Sequence, residues 1–331
     1  MCSGKSLSWG LITDQFQTLM KTFSKLTMAA LLFGAGLGLY AQNSSPLEGR
    51  WDLELDFMGK TAPSWLEIRH SGNATLIGRF VFAFGSARPI SEVHPYGDHK
   101  FTFSIPNQWE PKGSDMIVHG GLVGDRLEGT LIYTDGSVIP WTGQRAPKLA
   151  HVENPKWDRP IELFNGRDLS GWHMDGEKEQ WEVRDGILIS PQPGSNLISD
   201  QKFGDFKLHV EFRYPKGSNS GIYLRGRYEV QIEDDKGRDP MDIYIGGIYG
   251  FLEPNENAAK DAGQWQTYDI TLLGRRVTVV LNGRTVISDT TIPGITGGAL
   301  DSKEGEPGSF MLQGDHGPIE FRSFVVTPIK N

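Results

Sequence analysis

The stretch Asn219-Ser220-Gly221-Ile222-Tyr223-Leu224-Arg225, then Gly226-Arg227-Tyr228, then Glu229-Val230-Gln231-Ile232-Glu233-Asp234, reads as two strands around a short turn. Side chains two apart on a strand share a face, so the pairing register decides what that face carries. A two-residue turn at Gly226-Arg227 would put Glu229 and Gln231 on the face of Ile222 and Leu224. A three-residue loop, Gly226-Arg227-Tyr228, pairs Arg225 with Glu229 instead. That register leaves Tyr223, Arg225, Glu229, Gln231 and Glu233 on one face and Ile222, Leu224, Val230 and Ile232 on the other. It separates polar from apolar cleanly, so it is the expected pairing, and the polar face is the expected ligand surface.

Strands of the same kind extend outward from this hairpin. Phe206 to Arg213 alternates strictly: Lys207, His209, Glu211 and Arg213 share one face and the even positions are apolar. Trp181-Glu182-Val183, Thr267 to Leu272, Arg276 to Leu281 and Ile319 to Val326 read as further strands, with turns such as Asn282-Gly283 between them. With many short strands and no helical run, residues 161–331 are expected to form a two-sheet sandwich. Upstream, Trp51 to Leu55, Trp65 to Arg69 and Leu127 to Tyr133 predict a smaller antiparallel β-barrel or sandwich over residues 47–147. The polar segment 148–160, with Pro155 and Pro160, reads as a linker.

Composition narrows the function. The 331 residues are 38% hydrophobic with 41 glycines, enough for two cores. A net charge of -8 argues against nucleic acid or an anionic membrane surface as partner and favours a neutral ligand. Cys2 is the sole cysteine, which excludes a disulfide framework, a thiolate metal site and a cysteine nucleophile from the body of the protein. Met20-Lys21-Thr22-Phe23-Ser24-Lys25 followed by the apolar run Leu26 to Tyr40 reads as a secretory signal peptide cut after Ala41. Residues 1–19 are then an upstream segment before a good start at Met20. No cysteine follows the run, so a lipoprotein anchor is not available, and no stable membrane insertion is expected after cleavage. Secretion, with the bacterial periplasm as destination, is the expected localisation.

Several pieces match a known family in consistent order. They are Leu163 to Trp172, Trp181 to Gly186, Phe206 to Arg213, Asn219 to Ile222, Glu229 to Ile232, Gly247 to Gly250, Leu281 to Gly283 and Leu312 to Gly317 with Glu320 to Arg322. From Leu163 to Ile329 the chain resembles the secreted bacterial family first known as DUF1080, now described as 3-keto-disaccharide hydrolase, or 3-keto-glucoside 1,2-lyase and 3-keto-2-hydroxyglucal hydratase. Gln266 and Ser323 depart from the family pattern, where asparagine is common. The resemblance implies an all-β, concanavalin A-like jelly roll and an oxidised 3-keto glycoside as substrate. It says nothing of residues 47–147, for which an accessory sugar-binding or docking role is the expectation.

A carbonyl at C3 acidifies the C2 proton, so its removal lets C1 expel its substituent, and water then adds back. That route needs a base, donors for the enolate oxygen and an acid near the leaving oxygen, and no nucleophile. Glu229 or Glu211 is the candidate base, Arg225 and Gln231 the candidate enolate donors, and His316 the proton exchanger. Asn219, Asp234, Tyr249 and Gln313 are candidate substrate binders. Each has an ordinary structural alternative. Arg225 with Glu229 can be a cross-strand ion pair, Glu211 a solvated strand position, His316 a loop histidine, and Gln313 and Asn219 turn-satisfying amides.

Glu233 to Asp242 invites a calcium reading but lacks EF-hand spacing and reads as a solvated loop. His94, His99 and His119 lack metal-ligand spacing. No cofactor is firmly implied, and a divalent metal stays open. Two rivals remain. In a retaining glucanase Glu229 and Glu233 would be the carboxylate pair, but strand positions four apart are about 13 Å apart and must lean together to reach about 5.5 Å. In a carbohydrate-binding module, Trp172, Trp181 and Trp265 would form the platform.

Overall fold

The computed structural model describes residues 45–150 and 152–330. The expected signal peptide and upstream segment lie outside the described residues. No helix among these residues is long and apolar enough to cross a membrane.

Residues Gly49–Arg145 form a closed barrel of eight antiparallel strands, each paired with its chain neighbour and the first, Gly49–Phe57, closing on the last, Val138–Arg145. Closure removes the free edges that a small open sheet would expose. Alternation fills the interior with Trp51, Leu53, Leu66, Phe80, Phe101, Phe103 and Leu131. Trp65 and Val81 belong instead to the core of the second domain. Trp65 meets Phe251 edge-on, with ring centroids 5.4 Å apart. Its indole also lies where a Cβ on Gly294 would stand, 2.2 Å from Cε2, so that approach requires a glycine.

The second domain is the expected sandwich. Its smaller sheet orders Trp172–Asp175, Asn196–Phe203, Gly308–Leu312, Asn219–Leu224 and Tyr228–Glu233. The larger places Ile319–Pro328 beside Phe206–Arg213, then Gln266–Leu273, Arg276–Leu281 and Arg284–Thr291. Phe206, Leu208, Val210 and Phe212 are buried between the sheets, as their alternation requires. Trp172 and Trp181 are also buried, their indole N–H groups donating to Leu163 O and Ser195 O at 2.9 and 2.8 Å. Trp265 lies on the outer face of the larger sheet, between the guanidinium groups of Arg213 and Arg322 at 4.7 and 4.4 Å from its ring. The three tryptophans therefore do not assemble a platform.

Barrel and sandwich belong to one compact unit, Pro46–Asn331. Arg50 donates to Pro293 O at 2.8 Å and to Glu304 at 3.2 Å, and Ser302 donates to Leu53 O at 2.5 Å. Asp52, on the same strand as Arg50, is buried beside Glu304. Burial and then that neighbouring carboxylate hold its carboxyl well above the ordinary range.

Candidate active site

The hairpin forms, with a different register from the expected one. Tyr223 pairs with Glu229 and Leu224 with Tyr228, so the three-residue loop is Arg225-Gly226-Arg227. Arg225 and Gly226 take left-handed φ angles of 53° and 68°. The loop is buried: Leu300 N donates to Gly226 O, Thr296 N donates to Arg227 O, and Arg227 pairs with Asp301 at 2.7 Å. The real and expected registers differ by an even number of residues, so the face assignments of Tyr223, Glu229 and Gln231 survive while the neighbours change.

That two-residue shift corrects Arg225. It is not on the ligand face. Its guanidinium donates to Gly274 O at 2.6 Å and lies 5.3 Å from the Tyr228 ring. Tyr223 stands in its place, with its hydroxyl 2.9 Å from Glu229 Oε2.

Glu229, Gln231, Tyr223 and Gln313 form the buried floor of a cleft of about 520 Å³, within the range of about 300–1,000 Å³ usual for ligand sites. Asn196, Asn219 and Tyr249 line its sides, with Asp315 and His316 half-exposed on one wall. Six expected residues thus converge: Glu229, Gln231, Asn219, Tyr249, Gln313 and His316. Three do not. Glu211 lies on the outer face of the larger sheet, ion-paired with Arg322. Asp234 lies outside the cleft and accepts from Gly217 N at 2.8 Å. Arg225 is in the buried turn.

Glu229 is 3% exposed. Removing a carboxylate from water disfavours its charged form, and burial pushes the Glu229 carboxyl up to about 8. The Tyr223 hydroxyl and the positive field of His316 oppose part of that rise. The Tyr223 hydroxyl also lies 2.9 Å from Gly297 O, which can only accept. One hydroxyl proton cannot serve both oxygens. With Glu229 ionised, Tyr223 donates to the carboxylate. With Glu229 protonated, the carboxyl donates to Tyr223 and Tyr223 donates to Gly297 O. The tyrosine thus supports both protonation states of one carboxyl. Two glycines make room for it: a Cβ on Gly221 would stand 2.2 Å from Glu229 Oε1, and one on Gly298 would stand 2.7 Å from the Tyr223 hydroxyl.

His316 Nδ1 is 2.7 Å from Asp315 Oδ1, and that hydrogen bond raises the histidine pKa above its ordinary value against the effect of desolvation. Asn196 Oδ1 accepts from Gly314 N at 2.9 Å, which orients its amide and leaves its NH2 as a donor. The side-chain carbonyls of Gln231 and Gln313 are buried without a protein partner. Buried polar atoms are nearly always paired, so these two unpaired oxygens in the cleft are left to accept hydrogen bonds from whatever occupies it. Glu233 does not line the cleft; burial and then the neighbouring Asp235 raise its pKa, against the smaller opposing effect of the Gln231 amide. Among the described residues no group of three His, Cys, Asp or Glu side chains is arranged to hold a metal ion.

Phe84, Gly85 and Trp109 of the barrel also line the cleft. Their place was hidden in the sequence, because it depends on how the barrel seats on the sandwich. Asp315 and Tyr223 were within reach of sequence reasoning, each adjoining or facing a residue already singled out.

The second domain is thus a jelly-roll sandwich whose cleft gathers a buried carboxyl, a histidine–aspartate pair and several convergent amides. The chain belongs to the 3-keto-alpha-glucoside-1,2-lyase-like domain family, whose sequence pattern matches residues 159–327, just over half of it. A curated relative, 3-keto-disaccharide hydrolase of Bacteroides thetaiotaomicron, is 32% identical over 113 residues. That match spans 30% of this chain and 39% of the relative's length. Among solved structures, one assigned as a glycosyl hydrolase, from Parabacteroides distasonis, is 28% identical with a TM-score of 0.42, covering 54% of this chain and 92% of that one. A non-specific endo-beta-1,3(4)-glucanase of family GH16 is 12% identical with a TM-score of 0.37, covering 56% and 95%.

Proposed function

We propose that the protein cleaves 3-keto-glycosides by elimination followed by hydration. The observation that carries this reading is Glu229: one deeply buried carboxyl with a pKa of about 8, beneath ligand-facing amides, with Glu233 outside the cleft. A retaining glycosidase needs two carboxyl groups about 5–5.5 Å apart flanking the bond; the cleft's other carboxylate, Asp315, is instead hydrogen-bonded to His316. An elimination at C2 needs one strong base and an acid, and a raised pKa makes the carboxylate a stronger base.

In this route the Glu229 carboxylate takes the C2 proton and the C–H electron pair flows toward the C3 carbonyl oxygen. The Asn196 NH2 and the amides of Asn219 and Gln313, all lining the cleft, are the candidate donors for that oxygen. Collapse of the enolate breaks the C1–O bond, and the imidazolium of His316, whose proton affinity the Asp315 hydrogen bond raises, gives its proton to the departing oxygen. Water then adds its hydroxyl to C1 and its proton returns to His316, while Glu229 returns its proton to C2. The net reaction is hydrolysis, and both groups end as they began.

Incubation of the full chain with a 3-keto-glucoside and with its unoxidised parent tests this. Turnover of the keto compound alone is the expected result. Turnover of the parent would point to a conventional glycosidase, and binding of either without turnover to a binding module. We further propose export through the Met20–Ala41 signal. N-terminal sequencing of the exported protein should begin at Gln42.

A further inference from the structure

The 64% exposure of Trp109 sets it apart from the tryptophans buried in the two cores. Large aromatic side chains are costly to leave in water, and this one is held there by a built support. Arg88 and Glu110 form a buried ion pair at 2.9 Å beneath the loop. Glu110 Oε2 accepts from Gln108 N at 2.6 Å and Trp109 N at 3.2 Å. Arg88 donates to Pro106 O at 3.1 Å, closing the base of the same loop. Gln108 in turn accepts from Ser86 N at 3.0 Å and donates to Ser86 Oγ at 2.5 Å, tying the Trp109 loop to the neighbouring one.

The two loops are also fixed against the sandwich. A Cβ on Gly297 would stand 2.3 Å from Gly85 O, and one on Gly250 would stand 2.5 Å from Ser86 Cβ. Gly298 N donates to Ala83 O at 2.9 Å. Trp109 is therefore a rigid aromatic surface at the rim of the cleft, set by backbone contacts relative to the strand that carries Glu229. Preorganisation of this kind reduces the ordering cost of binding.

We propose that Trp109 of the barrel is a specificity-determining residue that stacks against the leaving-group side of the substrate, a second pyranose or a similarly flat aglycone. This rests on the reading of the cleft as a 3-keto-glycoside site. Glu229 can reach C2 only if the reacting ring lies on the buried floor, so what projects to the rim is the substituent at C1. That substituent must also leave toward solvent, and Trp109 is the exposed aromatic that lines the cleft. The barrel, which lies outside the matched family region, is then part of the active site.

The test uses the full chain with Trp109→Ala and Trp109→Phe, a 3-keto-glucosyl-glucose and methyl 3-keto-glucoside. Trp109→Ala should lower the ratio of kcat/KM for the disaccharide over the methyl glycoside by about tenfold or more, the size of a typical aromatic contact. Trp109→Phe should restore most of that ratio, and melting curves of both variants should follow the native protein. Calorimetric Kd values for the same two ligands, measured in a Glu229→Gln background, separate this inference from the reaction. If the native protein turns over neither compound, the proposed reaction fails, and the stacking role stands only if Trp109→Ala erases a preference in Kd for the disaccharide. Unchanged Kd and kcat/KM ratios in Trp109→Ala, or binding of neither ligand, would overturn it.

Discussion

Replacing Glu229 by Gln should abolish turnover and stabilise the fold. In the unfolded chain the carboxyl has an ordinary pKa near 4.5, whereas burial in the cleft raises it to about 8. A carboxyl whose folded pKa is raised binds its proton more tightly in the native state, so stability falls as pH climbs from the unfolded value to the folded one. At pH 7 the folded protein keeps a proton that the unfolded chain has lost, at a cost of about 3 kcal/mol. At pH 5 the same cost is about 1 kcal/mol. Glutamine bears no such cost, and its NH2 can donate to the Tyr223 oxygen as the protonated carboxyl does. For a cooperative unit of about 290 residues, 3 kcal/mol corresponds to a rise in Tm of roughly 5 °C.

Thermal unfolding of the native and Glu229→Gln proteins at pH 5, 6, 7 and 8 measures this, alongside turnover of a 3-keto-glucoside. The Tm gap should widen steadily with pH, and the rate should drop about 10³-fold or more if Glu229 is the base. A gap that does not change with pH, or a variant less stable at pH 7, would mean that the native carboxyl titrates at or below its unfolded value, and the raised pKa on which its choice as the base rests would fall.

Tyr223→Phe removes the donor that favours ionised Glu229, so the carboxyl pKa rises further and the alkaline-rising limb of log kcat/KM should move to higher pH; an unmoved limb would show that Tyr223 does not couple to the base. Gly221→Ala puts a methyl group where Glu229 Oε1 lies, and the forced rotation should cut kcat/KM about 100-fold and cost about 1–3 kcal/mol in urea unfolding. Near-native activity would show that the carboxyl has other room. Asp52→Asn should stabilise the protein more at pH 8 than at pH 5, because burial and Glu304 raise the native Asp52 pKa and its ionisation works against folding as pH rises. Chemical unfolding at the two pH values checks this, and equal effects would count against it.

Much of the fold was legible. Strict alternation over Phe206 to Arg213 placed that strand with one face packed, and the hairpin's apolar face was assigned correctly because a β side chain's direction depends only on the parity of the register. Glu229, Gln231 and Asn219 therefore reached the cleft as expected. Arg225 did not, because parity says nothing about which residues form the turn. The segment from Pro293 to Gly308 buries the turn and selects Arg225-Gly226-Arg227. Glu211 was misplaced for a related reason: an alternating strand shows that a face is polar, and only sheet stacking tells whether that face meets a cleft or solvent; Asp234 lies just past the strand end at Glu233, where alternation no longer assigns a face.

Alternation, turn residues and the absence of helical periodicity determine from the sequence alone that this is an all-β protein, and they put Glu229 on a polar face. They act over a few residues, which is the range of strand pleating and turn chemistry. The pKa of Glu229, the Tyr223 hydroxyl shared with Gly297, and the seating of Trp109 over the cleft come from contacts between segments tens to hundreds of residues apart. Desolvation and close packing depend on everything that surrounds a group, so no local pattern encodes them.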